Sequence, residues 1–339
     1  MKKQPFGVLP TGEQAFLYTI SGGKLTAQVS DFGATLVRLY VPDSHGALAD
    51  VVLGFDDANG YRNSTTYFGA TVGRNANRIK GAAFSIGEES FQLPKNERGN
   101  NHHSGPDSYA FRLWQVERHE SHRIQFYLRS PHGDQGFPGN ADIRVTYALE
   151  EPDTLSVTYE AVSDRDTVFN LTNHSYFNLA GHSKQEEAMA QVLCMPSAYF
   201  NPCDREGIPT GEIRSVAGTP MDFRIPKALA QDIAADYECL HLQYGYDHNY
   251  LVSSNPCLTL CHIPSGRKME ISTDCPCIQI YAGNFICEPQ GKDGISYGRR
   301  SGIAIETQFA PDSLHHPDWP QPVVKAGVLY RSQTKYTFR

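Results

Sequence analysis

Ile143-Arg144-Val145-Thr146-Tyr147 and Leu155-Ser156-Val157-Thr158-Tyr159 both alternate an apolar or aromatic residue with a polar one. That period of two suits a pleated strand with one face buried, and the β-branched and aromatic residues fit such a surface. The same pattern recurs outward along the chain. It appears in Ala27-Gln28-Val29, in Thr35 to Val41, in Ile124-Gln125-Phe126-Tyr127-Leu128 and in Ile278-Gln279-Ile280-Tyr281. Turn-forming pairs punctuate these runs, among them Pro42-Asp43, Gly133-Asp134 and Pro152-Asp153. Helical periodicity is scarce. Lys227 to Leu240 is one helix candidate, with apolar residues at three- and four-residue steps, and Asp57 to Tyr61 is a shorter one. Many strands with few short helices predict an all-β fold, a sandwich or barrel. No fixed-period repeat and no flexible linker divides residues 1–339, so a single domain is expected.

Composition excludes several classes. The chain carries a net charge of −7 at pH 7, without the basic surface of a nucleic-acid binder. No apolar run is long enough to span a membrane, and Met1 to Pro10 lacks the apolar centre of a secretory signal, so a cytoplasmic location is expected. All eight cysteines lie from Cys194 onward and are expected to be reduced, buried thiols. A monomer or weak homodimer is expected.

Five clusters could carry chemistry. Gly73-Arg74-Asn75-Ala76-Asn77-Arg78 is either a polar turn or a set of donors for a polar ligand. Asn100-Asn101-His102-His103-Ser104-Gly105 holds adjacent histidines. On an extended chain these point oppositely, so at most one should face a site. Asn170-Leu171-Thr172-Asn173-His174-Ser175-Tyr176 offers either a satisfied core histidine or a general acid. Gly245-Tyr246-Asp247-His248-Asn249-Tyr250 is a turn or a hydroxyl-binding carboxylate. Glu306 follows the apolar run Ile303-Ala304-Ile305 and is either a salt-bridged glutamate at a strand end or a buried carboxylate whose pKa rises toward a general base's range. Cys257, Cys261, His262, Cys275 and Cys277 approach zinc-ligand spacing but sit in strand-like alternation, so no metal site is expected. Gly294-Ile295-Ser296-Tyr297-Gly298 matches a serine-hydrolase elbow without its strand-to-helix context, and no nucleotide fingerprint is present.

Taken in order, these clusters resemble the galactose mutarotase (aldose 1-epimerase) family. Thr172 to Leu179 is the most specific block. Ile208-Pro209-Thr210-Gly211, Gly218 to Arg224 and Tyr281-Ala282-Gly283-Asn284-Phe285 match as well. The resemblance runs from about residue 25 onward. It implies a large antiparallel β-supersandwich, a small-molecule sugar substrate and acid–base chemistry with no cofactor. It also implies roles: Glu306 as general base, His174 as general acid, and His103, Arg78, Asn77 and Asp247 around the sugar. Gln279 would lie close to the base. Where the family has Leu-His-Gly-Gly, this chain has His102-His103-Ser104-Gly105. Glu306 should begin ionised and His174 protonated. Alternatives on the same fold are a hexose-6-phosphate epimerase and a non-catalytic carbohydrate-binding protein.

Overall fold

The computed structural model describes residues 2–339. It is built of antiparallel sheets with few short helices, as the alternation predicts. Nine strands form the largest sheet, in the order Gln115–His119, Arg123–Ser130, Ala141–Glu150, Thr154–Ser163, Tyr330–Phe338, Arg267–Thr273, Leu258–His262, Val192–Cys194 and Lys227–Ala228. The two quoted runs are neighbours in it, with Val145 opposite Tyr159 and Tyr147 opposite Val157. Tyr330–Phe338 lies between Thr154–Ser163 and Arg267–Thr273. Its residues alternate strictly between buried and less buried, so one face packs on the core.

A second sheet has the order Tyr176–Phe177, Ile303–Gln308, Cys277–Tyr281, Asp247–Leu251, Tyr199–Asn201 and Arg214–Ser215. Five strands between Lys2 and Asp50 make a third. One apolar core joins all three, drawing on Leu36 and Leu39, on Val157 and Ile271, and on Ile278 and Ile305. Sheets facing one another across a shared core are a sandwich.

The short helix candidate is present as Ala58–Asn63, capped by the Asp57 carboxylate, which accepts from the Gly60 N–H at 2.9 Å. The longer one is corrected. Lys227–Ala228 is an edge strand, Leu229–Asp232 and Glu238–Gln243 are separate helical turns, and Tyr237 between them is extended. Leu229, Ile233, Cys239 and Leu240 all reach the core. The apolar spacing was real, but tertiary packing satisfies it in two pieces rather than one helix. All eight cysteines are free; five are buried, Cys194 and Cys261 are half-buried and Cys287 is exposed. The Gly294–Gly298 segment is loop, without the elbow's strand and helix.

Candidate active site

Strand register builds one wall of the site. In the second sheet Gln279 faces Glu306, Asp247 faces Tyr281, and Asn249 faces Gln279. Facing residues share a side of the sheet, and alternate residues along a strand change sides. Asp247, Gln279, Tyr281 and Glu306 therefore project together, while Ile278, Ile280, Ile303 and Ile305 project into the core. Shifting Ile303–Gln308 by one residue would turn Glu306 into the apolar core and present Ile305 or Thr307 to the cleft instead.

The opposite wall comes from loops. His174 is fixed by its backbone: its N–H donates to the Ala70 carbonyl and its carbonyl accepts from the Gly69 N–H, each at 2.9 Å. Its ring lies edge-on to His103 at 5.2 Å and beside Tyr176 at 5.1 Å. His103 and Asn77 hold each other. The His103 N–H donates to the Asn77 carbonyl at 3.0 Å, and the Asn77 N–H donates to His103 Nδ1 at 3.1 Å. His102 and His103 both line the cleft, which corrects the expectation that only one could. The left-handed backbone at His103, φ 49°, breaks the extended alternation and brings the two rings to 3.8 Å. Ser104 does not narrow the cleft. Its hydroxyl accepts from the Asn75 N–H at 2.7 Å and donates to the Asn75 carbonyl at 3.0 Å, tying the histidine turn down.

The walls enclose a cleft of about 270 Å³. Asn77, Arg78, His103, His174, Asp247 and Glu306 line it. At its floor His174 Nε2 approaches Glu306 Oε1 at 3.5 Å. Gln279 shares that face without lining the cleft, and donates to Asp247 Oδ1 at 2.6 Å. Sequence reasoning had grouped Arg74 with Arg78, yet they part company. Arg74 is fully buried and donates to the Ser130 hydroxyl and the Pro138 carbonyl, both at 2.6 Å.

Burial governs the electrostatics. It pushes Glu306 up to about 8, Asp247's charge adding to the rise and the Arg78 guanidinium opposing it. It pushes His174 down to about 4. Between those values the pair holds one proton, and burial of both groups places it on the carboxyl. The expected assignment, Glu306 ionised and His174 protonated, is therefore reversed at rest, with the same total charge. His103 is also held well below the usual imidazole range, by burial first and then by the neighbouring His174 and Arg78.

One ligand atom each of His103, His174 and Glu306 lies within 4.8 Å of the others, a donor set that a transition metal accepts. The tautomer of His103 argues otherwise. Because its Nδ1 accepts the Asn77 N–H, the neutral ring carries its hydrogen on Nε2. A nitrogen bearing hydrogen donates to an oxygen and cannot ligate a metal. Metal-binding histidines instead donate from their second nitrogen.

A sequence-family profile described as aldose 1-epimerase matches residues 17–337. The chain belongs to the aldose 1-epimerase family. It is 37% identical to mouse galactose mutarotase, covering 98% of this chain and 97% of that relative. It is 34% identical to aldose 1-epimerase of Escherichia coli, covering 97% and 96%. The crystal structure of a GalM/aldose epimerase homologue from C. elegans superposes with a TM-score of 0.88 at 32% identity, covering 96% of this chain and 99% of that one.

Within this aldose 1-epimerase fold, other cleft-lining residues escaped the sequence reading: Tyr67, Glu97, Arg98, Arg205 and Glu206. Tyr176, Tyr281 and Phe285 also line it and sit inside blocks that had been matched to the family, so their signal was present. Glu97 and Glu206 lie in surface turns and had none.

Proposed function

We propose that the chain interconverts the α and β anomers of free aldohexoses, galactose and glucose among them, by opening and reclosing the sugar ring. One observation carries the reading: a buried carboxylate and imidazole meet at the cleft floor with capacity unused. Glu306 Oε2 and His174 Nδ1 are buried and have no hydrogen-bond partner. Such atoms are costly to leave unpaired, and both side chains line the cleft, where the pair meets a sugar's hydroxyl and ring oxygens.

In the proposed steps Glu306 takes the proton from the anomeric O1, and O1 becomes the aldehyde oxygen as the C1–O5 bond breaks. His174 delivers a proton to O5. Rotation about C1–C2 turns the other aldehyde face toward O5. O5 then re-forms its bond to C1 and returns its proton to His174, while O1 regains a proton from Glu306. Both residues end as they began, and no electrons leave the sugar. The productive form is carboxylate plus imidazolium. It is reached from the resting form by moving one proton across the 3.5 Å gap. Arg78, which favours the ionised Glu306, pulls that equilibrium in the productive direction. His103 Nε2–H donates toward the ring oxygen, and Arg78, Asn77 and Asp247 hold the remaining hydroxyls. The whole of residues 1–339 acts as one domain in this reading. No helix among the described residues is long and apolar enough to cross a membrane.

Polarimetry of freshly dissolved α-D-galactose and α-D-glucose tests the function. Faster relaxation to the same final rotation is expected, with EDTA present; unchanged relaxation from folded protein would refute it. The dependence on pH follows from the one-proton requirement. kcat/KM should be level between the pair's two pKa values, about 4 and about 8, and fall tenfold per pH unit beyond each. A rate still constant at about pH 9.5 would remove Glu306 and His174 as the reacting pair. Arg78→Ala should raise KM by about tenfold or more, since it deletes charged hydrogen bonds to substrate, with a smaller change in kcat. Initial-rate polarimetry over a range of sugar concentrations reads both.

A further inference from the structure

Arg78 reaches the cleft held on three sides. Its Nε and Nη2 donate to the two carboxylate oxygens of Glu97 at 2.6 and 3.0 Å. Its Nη1 donates to Asn77 Oδ1 at 3.3 Å. A guanidinium has five N–H donors; these bonds use three and leave two. The third side is backbone. A Cβ at Gly207 would lie 2.9 Å from Arg78 Cζ and Nη1 and 3.1 Å from Nε. Gly207 has φ +77°, so its turn also suits glycine.

The two turns that make this socket are laced to each other. Asn100 Nδ2 donates to Glu206 Oε2 at 2.8 Å, and the Arg98 guanidinium donates to the Arg205 carbonyl. The Asp204 carboxylate accepts from the Glu206 and Ile208 N–H groups at 2.8 and 3.1 Å, setting the shape of the turn that carries Gly207. A long flexible side chain loses much rotamer freedom when it is fixed at a ligand. Here that cost is met in the free protein, which is preorganisation.

We infer that Glu97 and Gly207 are positioning residues that fix the Arg78 guanidinium for the sugar's hydroxyls. Glu97 orients the plane through its paired bonds, and Gly207 is bare because any side chain would occupy the guanidinium's place. The inference rests on the mutarotase reading only for its readout. Adding Cβ at Gly207 displaces the tip of a flexible side chain rather than packed backbone, while the left-handed φ adds a strain that the melting measurement reads separately.

The test is a thermodynamic cycle. Glu97→Ala and Gly207→Ala are made alone and in the Arg78→Ala background, and mutarotation is followed by polarimetry, with melting by circular dichroism. Each single variant is expected to raise KM by about tenfold, with kcat changed by no more than about twofold. Glu97→Gln, which keeps one acceptor, should fall between wild type and Glu97→Ala. In the Arg78→Ala background neither change should raise KM further. A KM unmoved in Glu97→Ala, an equal rise without Arg78, or a loss confined to kcat would each overturn the inference. Should Gly207→Ala melt early, the Glu97 variants decide alone. If the wild-type protein turns over neither sugar, the mutarotase reading falls separately. The same cycle is then read from galactose affinity by titration calorimetry, with the same outcomes.

Discussion

Glu306→Gln should lower kcat by about 10²–10⁴-fold, the usual contribution of a positioned base. The amide keeps the shape and one acceptor of the carboxyl but cannot hold the anomeric proton. The fold should survive, and above pH 8 the variant should be the more stable protein. The sign follows from linkage. Burial raises the folded pKa of Glu306 to about 8, so between its ordinary value and 8 the native state binds more protons than the unfolded chain. Stability contributed by this group therefore declines as pH rises through that window, and a neutral amide does not share the decline. Denaturant titrations at pH 5 and pH 9 read the effect: the variant's advantage should appear at pH 9 and shrink at pH 5. Wild-type turnover in Glu306→Gln would refute its role as base.

Arg74→Ala should destabilise the fold severely, by about 3 kcal/mol or more. Arg74 is fully buried and is held without a direct carboxylate partner. Its guanidinium donates to the Pro138 carbonyl, the Thr167 hydroxyl, the Ser130 hydroxyl and the Tyr109 hydroxyl. Removing it strips one charged donor from each of them, leaving only the bonds they make among themselves, Thr167 to the Pro138 carbonyl and Tyr109 to the Ser130 hydroxyl, and opens a void beside Phe137 and Phe169, whose rings flank the guanidinium at 5.9 Å. The midpoint of urea unfolding measures the loss. A midpoint within experimental error of wild type would show that water replaces the arginine at no net cost.

Why Arg74 and Arg78 differ so much was beyond the sequence. Both lie in one polar segment, and the local pattern cannot say which of two arginines four residues apart meets a core of carbonyls and which a cleft. The strands were legible because alternation is local: Ile143–Tyr147 and Leu155–Tyr159 each reveal their buried face without a partner. Glu306 and His174 stood out as candidates, since a carboxylate after an apolar run and a histidine among amides and aromatics are conspicuous where they stand, but only the family resemblance chose an acid–base reading over a structural one. Glu97 and Gly207 were not. Each is an ordinary turn residue until the turn of one lies across the side chain of the other's neighbour. The Lys227–Leu240 region shows the converse, a convincing local period that the packing of Leu229 and Leu240 into one core divides.

The position of strand Tyr330–Phe338 between Thr154–Ser163 and Arg267–Thr273 has a consequence for how the protein is made. Until the ribosome has released that segment, the nine-stranded sheet exists as two halves, each with an unpaired edge facing the other. Exposed edges of that kind recruit foreign strands. The distant pairings also impose a high contact order, which slows closure. Strand Ile303–Gln308, which carries Glu306, emerges shortly before this closing strand. Newly synthesised chains therefore carry a nearly assembled sugar cleft on an unclosed scaffold, and that interval is when a molecular chaperone would find most to protect.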